Sequence, residues 1–435
     1  MVLNNYPFTM NERGHLEIGG IDTVELASKY GTPLYVYDVS LIRQRCRAFV
    51  KTFQNLGVKA QVAYASKAFS SIAILQVMKQ EGLSVDVVSE GELYTALQAG
   101  VDPKKIHMHG NNKSRRELEM AVENNIGCIV VDNFYEIELL TEVLEQAEKK
   151  IDCILRVTPG IHSETHQYII TGNEDSKFGF DLQNGQADQA FQLVKDHPYL
   201  NMKGLHCHIG SQIFDTEGFV QATKILFNKL RDWNEGFAYA PEVLNLGGGF
   251  GIRYTEEDKP LPLENYVERL VDTVKQESDA LQIPMPEIWI EPGRSIVGDA
   301  GLTLYTIGSK KHIPGIRDYI SVDGGMTDNI RPALYQAKYH GVLANRVREK
   351  CEEIVSVAGK CCESGDMLIW DLPVPNVNSG DILAILSTGA YGYSMASNYN
   401  RIQRAAVVFV ENGEDKLVIR RESYEDIISH DLSYE

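Results

Sequence analysis

The sequence predicts an α/β fold in which a (β/α)8 barrel is followed by a C-terminal antiparallel β domain. Three observations lead to this prediction. Short β-branched runs alternate with longer amphipathic segments about eight times, nearly every run ends in a polar or glycine-rich cluster, and the pattern changes near residue 300. About eight strand–helix units is the number that closes a TIM barrel.

The predicted barrel strands are short runs rich in β-branched and other apolar residues. They cover residues 60–68, 85–92, 105–112, 127–133, 152–160, 202–211, 242–251 and 287–295. Amphipathic segments such as 114–125 and 133–150 lie between them and predict helices. Repeated strand–helix units imply a parallel sheet that is buried on both faces. An open, doubly wound sheet would carry phosphate-binding glycines after its first strand. Here GGGFG follows the seventh unit, so a closed barrel is favoured.

The pattern after residue 300 predicts a second domain. The runs GLTLYTIGSKK, YISVDGG, EEIVSVAG, DILAILSTG and AAVVFVENG are typical of strands joined by short turns, which indicates an antiparallel β domain. Short strand-like pieces near the N-terminus, HLEIGG and PLYVYD, could add a strand to it. We therefore expect a barrel over residues 35–300 and a β domain formed by residues 1–34 together with 301–435.

Composition and charge argue against several classes of partner. The 435 residues carry 42 basic and 60 acidic side chains, and the net charge of −18 disfavours nucleic acid and anionic membranes, which need a positive surface. No apolar run approaches the roughly 18 residues that a membrane helix needs. The first residues lack the pattern of a signal peptide. Seven cysteines, an odd number without a CxxC pair, indicate a reducing compartment, so a cytoplasmic protein is expected.

Lys67 ends the first predicted barrel strand, in the run AYASKA. A buried lysine amine loses solvation when it is charged, so its pKa falls and a neutral nucleophile becomes available. An aldehyde cofactor needs such an amine to form a Schiff base. A lysine that merely extends from the strand end to solvent is the alternative.

A run of glycines, Gly247, Gly248 and Gly249, follows the seventh strand in LNLGGGFG. Because these residues have no side chains, their backbone N–H groups could approach and surround an anion. A nucleotide-binding loop is disfavoured, since neither GK[ST] nor the GxGxxG spacing is present. A tight turn between strand and helix is the alternative.

Charged residues follow the eighth strand in IEPGRS. Glu291 could face a pyridine nitrogen and keep it protonated, which would make the ring a better electron acceptor. Arg294 could pair with a phosphate or a carboxylate through its planar fork. A structural pair between these two residues fits the spacing equally well.

Two histidines, His206 and His208, alternate on one face of the strand in LHCHIGSQ. They could ligate a metal, but no matching carboxylate or thiol cluster accompanies them in the sequence, so no metal is expected. Stacking on an aromatic cofactor explains His208 better, and Ser211 could donate to a phosphate. For His206 a core histidine is favoured.

The β domain adds further polar and aromatic side chains. GKCCESGD carries Cys362 and Glu363, and since neighbouring acids raise the pKa of a thiol, Cys362 is expected to donate a proton rather than to attack as a nucleophile. A plain buried cysteine is the alternative. DNIRPALY and GAYGYSMASNYN supply a second cation, Arg331, and two phenols, Tyr335 and Tyr391.

Taken together, the motifs YASKA, HIGSQ, GGGFG, EPGRS, CESGD and GAYGYSMASNYN resemble those of the diaminopimelate decarboxylase family, in the same order and over nearly the whole chain. The resemblance implies an alanine-racemase-like enzyme that depends on pyridoxal 5′-phosphate (PLP). It also implies a carboxy-lyase reaction, from meso-2,6-diaminopimelate to L-lysine and CO₂, the last step of lysine biosynthesis. Two departures from the family pattern, Lys360–Cys361 and the stretch RIQRAA after SNYN, fall on no residue that is assigned chemistry.

By the same resemblance, residues of both domains would form the site. Those implied to bind the cofactor are Lys67, Asp86, His208, Ser211, Gly247, Gly248, Gly249, Glu291, Pro292, Gly293, Arg294 and Tyr391. Those implied to bind the substrate are Arg294, Arg331, Tyr335, Glu363 and Tyr391. The catalytic residues would be Lys67, His208, Glu291 and Cys362. In the family, Cys362 and Glu363 reach the site of the other subunit, which implies a homodimer with shared active sites.

The charges favour diaminopimelate within this scaffold, because Arg331 and Glu363 together suit a distal amino-carboxylate. Decarboxylases of ornithine, arginine or carboxynorspermidine are the nearest alternatives, although the diamine chain of ornithine would offer no carboxylate to Arg331. A racemase is disfavoured, since it must keep the substrate carboxylate. A catalytically inactive PLP-binding protein is a further alternative, against which the intact Lys67, Glu291 and Cys362 argue.

Overall fold

The structure is a computed structural model that describes residues 5–160 and 176–435. Within these residues the chain divides into two compact units. The barrel unit takes the described residues within Arg45–Gly251 and Pro260–Ser295, and the β unit takes those within Met1–Gln44, Ile252–Lys259 and Ile296–Glu435.

The N-terminal segment belongs mainly to the β unit. It contains a small antiparallel sheet, a helix, a strand that joins the large sheet of the β unit, and the long helix that leads into the barrel. These are β1 (Thr9–Met10), β2 (Leu16–Ile18), β3 (Ile21–Asp22), α1 (Thr23–Tyr30), β4 (Leu34–Asp38) and α2 (Val39–Asn55). Asp22 caps α1 by accepting the N–H of Val24, which explains why the helix begins there.

Eight parallel strands of the barrel unit close into a ring, which confirms the predicted fold class. With the short outer strand β10 they are β5 (Ala60–Ala65), β6 (Ser84–Val87), β7 (Ile106–Met108), β8 (Cys128–Val131), β9 (Ile151–Thr158), β10 (Phe180–Asp181), β11 (Leu200–His206), β12 (Val243–Asn245) and β13 (Glu287–Ile290). Each strand pairs with the next, and β13 pairs with β5 to complete the ring, while β10 lies beside β9. Strands β6, β7 and β8 are buried at every position, as a sheet covered on both faces requires.

Helices alternate with these strands. They are α3 (Ile72–Gln80), α4 (Glu90–Gln98), α5 (Arg115–Glu123), α6 (Phe134–Ala147), α7 (Gln186–Val194), α8 (Glu217–Phe237), α9 (Leu263–Leu281) and the short α10 (Arg294–Val297). Ser71, Ser89, Ser114 and Asn133 cap four of them, each accepting a backbone N–H of the first turn. These capping residues place the helix starts just beyond the ends of the strands, so the polar strand ends are left on one rim of the barrel.

The β unit is built from strands that follow residue 300 and from β4. Its further elements are β14 (Gly301–Ile313), β15 (Arg317–Val322), α11 (Arg331–Tyr335), β16 (Gly341–Leu343), β17 (Glu353–Ala358), β18 (Met367–Val374), β19 (Ile382–Leu386), β20 (Ala406–Glu411), β21 (Glu414–Ile419) and α12 (Tyr424–Ile428). The sheet order is β18-β17-β15-β14-β4-β20-β21, and β19 pairs with both β14 and β16.

Pairing in this sheet is mostly, but not wholly, antiparallel. Two pairs are parallel, β15 with β17 and β4 with β20. An N-terminal strand does pair within this sheet, since β4 lies between β14 and β20. Most of β4 lies after residue 34, within the range expected for the barrel, so the expected boundary between the two domains stays a prediction. A strand from the start of the chain thus lies in the middle of this sheet, with core residues such as Val36 and Val408 fully buried.

Residues 252–259 leave the barrel unit between β12 and α9 and belong to the β unit. The sequence pattern does not predict this excursion. Among the described helices, none is both long and apolar enough to cross a membrane.

Candidate active site

The predicted barrel residues lie at the carboxyl ends of the strands. Lys67 is in a 3₁₀ turn just after β5, Asp86 lies within β6, and Glu291 follows β13. In a parallel barrel all these ends open on one face, which is where active sites of such barrels lie. The structure therefore places these three residues on a common rim.

Glu291 lies on this rim among several polar side chains of other strands. Asn245 donates its amide N–H to Oε1 at 2.6 Å, and Nε2 of His206 bonds to Oε2 at 3.1 Å. Nε2 of His109 approaches Oε1 to 2.9 Å. Burial acts to raise the pKa of Glu291, but His109 and His206 outweigh it and hold the pKa well below its usual value. The carboxylate is therefore ionised although it is almost fully buried.

Two of the partners of Glu291, His109 and Asn245, were not singled out from the sequence, and the interpretation of the third, His206, was incomplete. His109 stands in the strand end HGNN and Asn245 precedes the glycines, so both were visible as strand-end polar residues. The interpretation of His206 as a core histidine is incomplete, since this fully buried residue bonds to Glu291. Burial lowers the pKa of His206, which favours the neutral imidazole.

The argument that no carboxylate accompanies the histidines is wrong. Ligand atoms of His109, His206 and Glu291 lie within 4.8 Å of one another and could hold a metal ion. The amide N–H of Asn245 cannot ligate a cation and donates to the same carboxylate. This favours Glu291 as a hydrogen-bond acceptor, and the expectation of a metal-free site stays a prediction.

Asp86 lies beside this cluster. Its Oδ1 is 3.7 Å from Nε2 of His109, and its side chain is nearly fully buried. Burial and the nearby Glu291 raise the pKa of Asp86 to about 6, although His109 and Lys67 act in the opposite direction. A carboxyl group that titrates near neutrality therefore lies close to the lysine amine.

The premise that Lys67 is buried is wrong. Its side chain is exposed, while its neighbours Ser66 and Ala68 are buried. The turn is held against the end of β13, because Ala65 donates its N–H to the carbonyl of Pro292 at 3.2 Å. A Cβ at Gly293 would lie 3.0 Å from Cβ of Ala65. Pro292 and Gly293 thus have a packing role beneath Lys67.

Ser211 and Arg294 form the part of the rim best suited to an anion. Arg294 is 7% exposed and donates to Oγ of Ser211 from Nε at 3.3 Å and from Nη2 at 2.9 Å. A buried guanidinium beside a hydroxyl is a suitable pair for a phosphate or a carboxylate. The structure therefore brings together the two residues that the sequence assigned to an anion.

The glycines after β12 take part in hydrogen bonds and close packing within the protein. Gly247 donates its N–H to Oδ1 of Asn245 at 2.9 Å, and Gly248 donates to Nδ1 of His208 at 3.2 Å. These two N–H groups are bonded within the protein, so the expectation that they surround an anion is not supported. A Cβ at Gly248 would lie 2.0 Å from the carbonyl oxygen of Glu291, so close backbone packing requires glycine there.

His208 carries a defined tautomer in this arrangement. Because Nδ1 accepts the N–H of Gly248, the proton of a neutral ring lies on Nε2. Burial, with the charges of Lys67 and Arg156, holds the pKa of His208 well below its usual value. A neutral imidazole of fixed orientation suits stacking on an aromatic ring.

In the β unit, Arg331 begins α11 and is surrounded by phenols. It is 6% exposed, and its Nη1 donates to the hydroxyls of Tyr254 at 3.1 Å and Tyr339 at 2.8 Å. The predicted Tyr335 and Tyr391 lie with ring centroids 5.9 Å and 6.0 Å from its Cζ. The structure thus brings together the three predicted β-unit residues Arg331, Tyr335 and Tyr391, and it adds Tyr254 and Tyr339, which the sequence did not single out.

Cys362 and Glu363 lie on an exposed turn of the β unit. The N–H of Cys362 donates to Oδ1 of Asn400 at 2.8 Å, and the carbonyl of Cys362 accepts the hydroxyl of Tyr399 at 3.3 Å. Oδ2 of Asp366 accepts the N–H of Cys361 at 2.8 Å. The turn is therefore fixed from both sides, and the alternative of a plain buried cysteine at 362 is wrong, while the role of Cys362 as a proton donor stays a prediction.

The closed barrel, the lysine after β5 and the ionised carboxylate after β13 fit a pyridoxal-dependent enzyme of the barrel type, and the family match identifies the class as a decarboxylase. Residues 39–298 match the family described as "Pyridoxal-dependent decarboxylase, pyridoxal binding domain". The matched range spans all eight strands of the ring.

Proteins that are similar over nearly the full length of the chain indicate which family of decarboxylases it belongs to. The chain is 65% identical to a diaminopimelate decarboxylase of Bacillus methanolicus, over 95% of each chain. It is 61% identical to that of Bacillus subtilis (strain 168), over 98% of this chain and 97% of the relative. The solved diaminopimelate decarboxylase of M. jannaschii in co-complex with L-lysine is 35% identical, with a TM-score of 0.92, over 100% of this chain and 99% of that one. The chain belongs to the diaminopimelate decarboxylase family, and the resemblance that its motifs indicate is confirmed.

Proposed function

We propose that the chain catalyses the PLP-dependent decarboxylation of meso-2,6-diaminopimelate to L-lysine and CO₂. The observation that carries the proposal is Glu291, a buried carboxylate kept ionised by the surrounding imidazoles at the carboxyl ends of the strands. The name of the relatives supports the substrate. The solved relative in co-complex with L-lysine supports the product.

The barrel residues fit the chemistry of PLP. The exposed amine of Lys67 suits attachment of an aldehyde, the Ser211–Arg294 pair suits a phosphate, and Glu291 suits a pyridine nitrogen. When bound, PLP would supply an electron-accepting ring for the electron pair that remains when CO₂ leaves. Glu291 would keep the ring nitrogen protonated, and His208 would stack on the ring face.

The remaining residues assigned to the cofactor would act around this core. Asp86 lies close enough to Lys67 for the charge of the lysine to act on the pKa of the Asp86 carboxyl. Tyr391 of the β unit is assigned to both cofactor and substrate. For the glycine run, only the close packing of the backbone has direct support, so the proposed phosphate contacts rest chiefly on Ser211 and Arg294.

The β unit would recognise the substrate. Arg331 would bind the distal carboxylate, with Tyr335 and Tyr391 beside it, and Arg294 would hold the other carboxyl end. The exposed thiol of Cys362 would donate a proton to the α-carbon once CO₂ has left, and Glu363 would pair with the distal ammonium group. A substrate with an amino-carboxylate at each end uses all of these charges.

We also propose a homodimer with shared sites. Its basis is the exposed Cys362–Glu363 turn, which is fixed by Asn400 and Tyr399 although it is exposed. Mixing inactive Lys67→Ala subunits with inactive Cys362→Ala subunits should restore activity, because each mixed dimer regains an intact site. Mixtures that stay inactive while light scattering shows a dimer would contradict shared sites.

A cytoplasmic location is consistent with the cysteines. All seven are free, including neighbouring Cys361 and Cys362, as expected in a reducing compartment.

The central experiment is to incubate the purified protein with PLP and meso-diaminopimelate and to measure L-lysine and CO₂. Borohydride treatment of the loaded protein followed by peptide mapping should show the cofactor on Lys67. Failure to form lysine, or attachment at another lysine, would overturn the proposal.

The decarboxylases of ornithine, arginine or carboxynorspermidine are tested by Arg331→Gln. If diaminopimelate is the substrate, its turnover should collapse because the distal carboxylate loses its cation. A variant that decarboxylates its substrate as well as the wild type does would instead favour a substrate without a distal carboxylate.

A further inference from the structure

Both hydrogen bonds of the Arg331 guanidinium come from one nitrogen. Nη1 donates to Tyr254 and Tyr339, while no described residue accepts a hydrogen bond from Nε or Nη2. A guanidinium is planar and has a second edge, formed by Nε and Nη2, that matches a carboxylate in a bidentate manner. Fixing Nη1 therefore sets the direction of the edge that remains.

Tyr254 reaches Arg331 because the chain leaves the barrel unit over residues 252–259. This segment is fixed at several points. Ser387 donates its hydroxyl to the carbonyl of Arg253 at 3.0 Å, and Tyr6 donates to the carbonyl of Tyr254 at 3.1 Å. Oδ2 of Asp258 accepts the N–H of Tyr254 at 2.9 Å. The hydroxyl of Tyr254 is thus positioned by a segment, residues 252–259, that is held by several hydrogen bonds.

Tyr339 completes the arrangement from the other side. Its ring meets that of Tyr254 edge to face, with centroids 5.2 Å apart and planes at 85°. Both tyrosines are nearly fully buried, at 6% and 5% exposure. Burial acts to lower the pKa of Arg331, but Tyr339 and Tyr254 raise it above its usual value. The two phenols therefore stabilise the Arg331 cation. No carboxylate of a described residue lies within ion-pair distance of it.

We propose that Tyr254 and Tyr339 are positioning residues that set specificity for a substrate with a second carboxylate, by holding Nη1 of Arg331 so that Nε and Nη2 bind that carboxylate. The inference rests on the proposed function, since it takes Arg331 as the group that recognises the distal end. It adds two residues to the recognition of the substrate, and one of them comes from a segment between two barrel elements.

The test uses Tyr254→Phe, Tyr339→Phe and the double variant in the PLP-loaded enzyme. Phenylalanine keeps the ring and removes only the hydroxyl that accepts from Arg331. We expect the double variant to raise the KM for meso-diaminopimelate about tenfold, because a misoriented Arg331 would lose about one hydrogen bond to the substrate carboxylate, with kcat little changed.

Inhibition by two ligands distinguishes a change in the orientation of Arg331 from a general change in the structure of the site. L-lysine keeps the distal carboxylate, whereas 1,5-diaminopentane has the same diamine chain and no carboxylate. The inhibition constant of L-lysine should rise about as much as the KM, roughly tenfold, and that of 1,5-diaminopentane should stay unchanged.

Tyr305→Phe is the matched control. The Tyr305 ring is fully buried in the same unit, and its hydroxyl has no hydrogen-bond partner among the described residues. Its removal should leave both inhibition constants unchanged, and thermal melting of all variants checks the fold.

The outcomes are distinct. An equal rise in both inhibition constants, or a fall in kcat with unchanged KM, would show that the two hydroxyls do not orient Arg331 for a carboxylate. A wild-type protein that forms no lysine would contradict the proposed function instead, because the inference concerns only how variants differ from an active enzyme.

Discussion

His109 and Glu291 meet across the barrel rim, with Nε2 of the imidazole 2.9 Å from Oε1 of the carboxylate. They follow β7 and β13, which are not neighbours in the ring. The same nitrogen lies 3.7 Å from Oδ1 of Asp86. One imidazole thus stands between two buried carboxyl groups, and it helps to keep Glu291 ionised.

Replacing His109 should impair Glu291 without unfolding the barrel. We expect His109→Leu to lower kcat by about tenfold to a hundredfold, because Glu291 loses a close imidazole contact of a strength comparable to one hydrogen bond to a charged group. His109→Gln, which keeps an amide donor, should lose less. The ¹⁵N chemical shift of ring-labelled PLP should report a smaller protonated fraction of the ring nitrogen in the leucine variant.

His107→Gln is the control for this prediction. His107 is buried on β7 and stacks on Trp289, with centroids 4.2 Å apart, and it makes no hydrogen bond or ion pair with Glu291 among the described contacts. Its replacement should lower the melting temperature but leave the ¹⁵N shift unchanged. A leucine variant at 109 with an unaltered ¹⁵N shift would contradict the role given to His109.

Asp328 should make stability depend on pH. Burial, with Asp323 and Asp366 adding to it, raises the pKa of Asp328 from 3.8 to about 7, although the N–H of Gly325 opposes the rise. The folded state therefore holds a proton that the unfolded chain releases above about pH 4. The contribution to stability is fully present below that pH and is lost as the pH rises to about 7.

Asp328→Asn removes this titration, since the amide stays neutral and its oxygen can still accept from Gly325. The free energy of unfolding of the variant relative to the wild type should rise by up to about 4 kcal/mol between about pH 4 and about pH 8. Denaturant unfolding at the two pH values measures the change. A difference that is independent of pH would show that Asp328 is ionised in the folded protein.

Lys113 and Glu136 form an ion pair inside the barrel unit, at 2.7 Å and with both side chains 1% exposed. The ammonium also donates to the carbonyls of Gly110 and Val130. Lys113→Met should lower the free energy of unfolding by about 3–5 kcal/mol, because it leaves a buried carboxylate unpaired.

Adding Glu136→Gln to that variant should restore part of the loss. The amide removes the unpaired charge, and its oxygen can still accept the N–H of Asp132, which Glu136 bonds at 2.9 Å. Urea unfolding of the two single variants and the double variant gives the coupling energy. Strictly additive losses would mean that the two charges do not stabilise each other.

Asn400 should control the position of Cys362, whose N–H it accepts at 2.8 Å. We expect Asn400→Ala to lower kcat by about tenfold, since the turn loses one of its hydrogen bonds. Asn412→Ala is matched to it, because both asparagines have φ of 53° and lose the same left-handed preference. If the two variants lose activity equally, the hydrogen bond to Cys362 is not what matters.

Much of the barrel could be predicted from local sequence. Each predicted run overlaps one strand of the ring, because a strand that is buried on both faces needs an apolar run wherever it lies in the chain. The strand-end motifs likewise predicted Glu291, Ser211 and Arg294 as rim residues, since polar side chains directly after buried strands can only lie at the rim.

The contacts of each rim residue depend on the closure of the barrel, which brings the ends of distant strands together. Asn245 and His206 lie 46 and 85 positions before Glu291 in the chain, and they bond to it because their strands end near β13. The exposure of Lys67 and the excursion that brings Tyr254 to Arg331 also lack a local signal. The sequence by itself determined the strands, the helices and the chemical types at the rim, because burial and helix capping act over a few residues. Tertiary structure alone decided which charges meet, because hydrogen bonds between distant residues form only once the strands are paired.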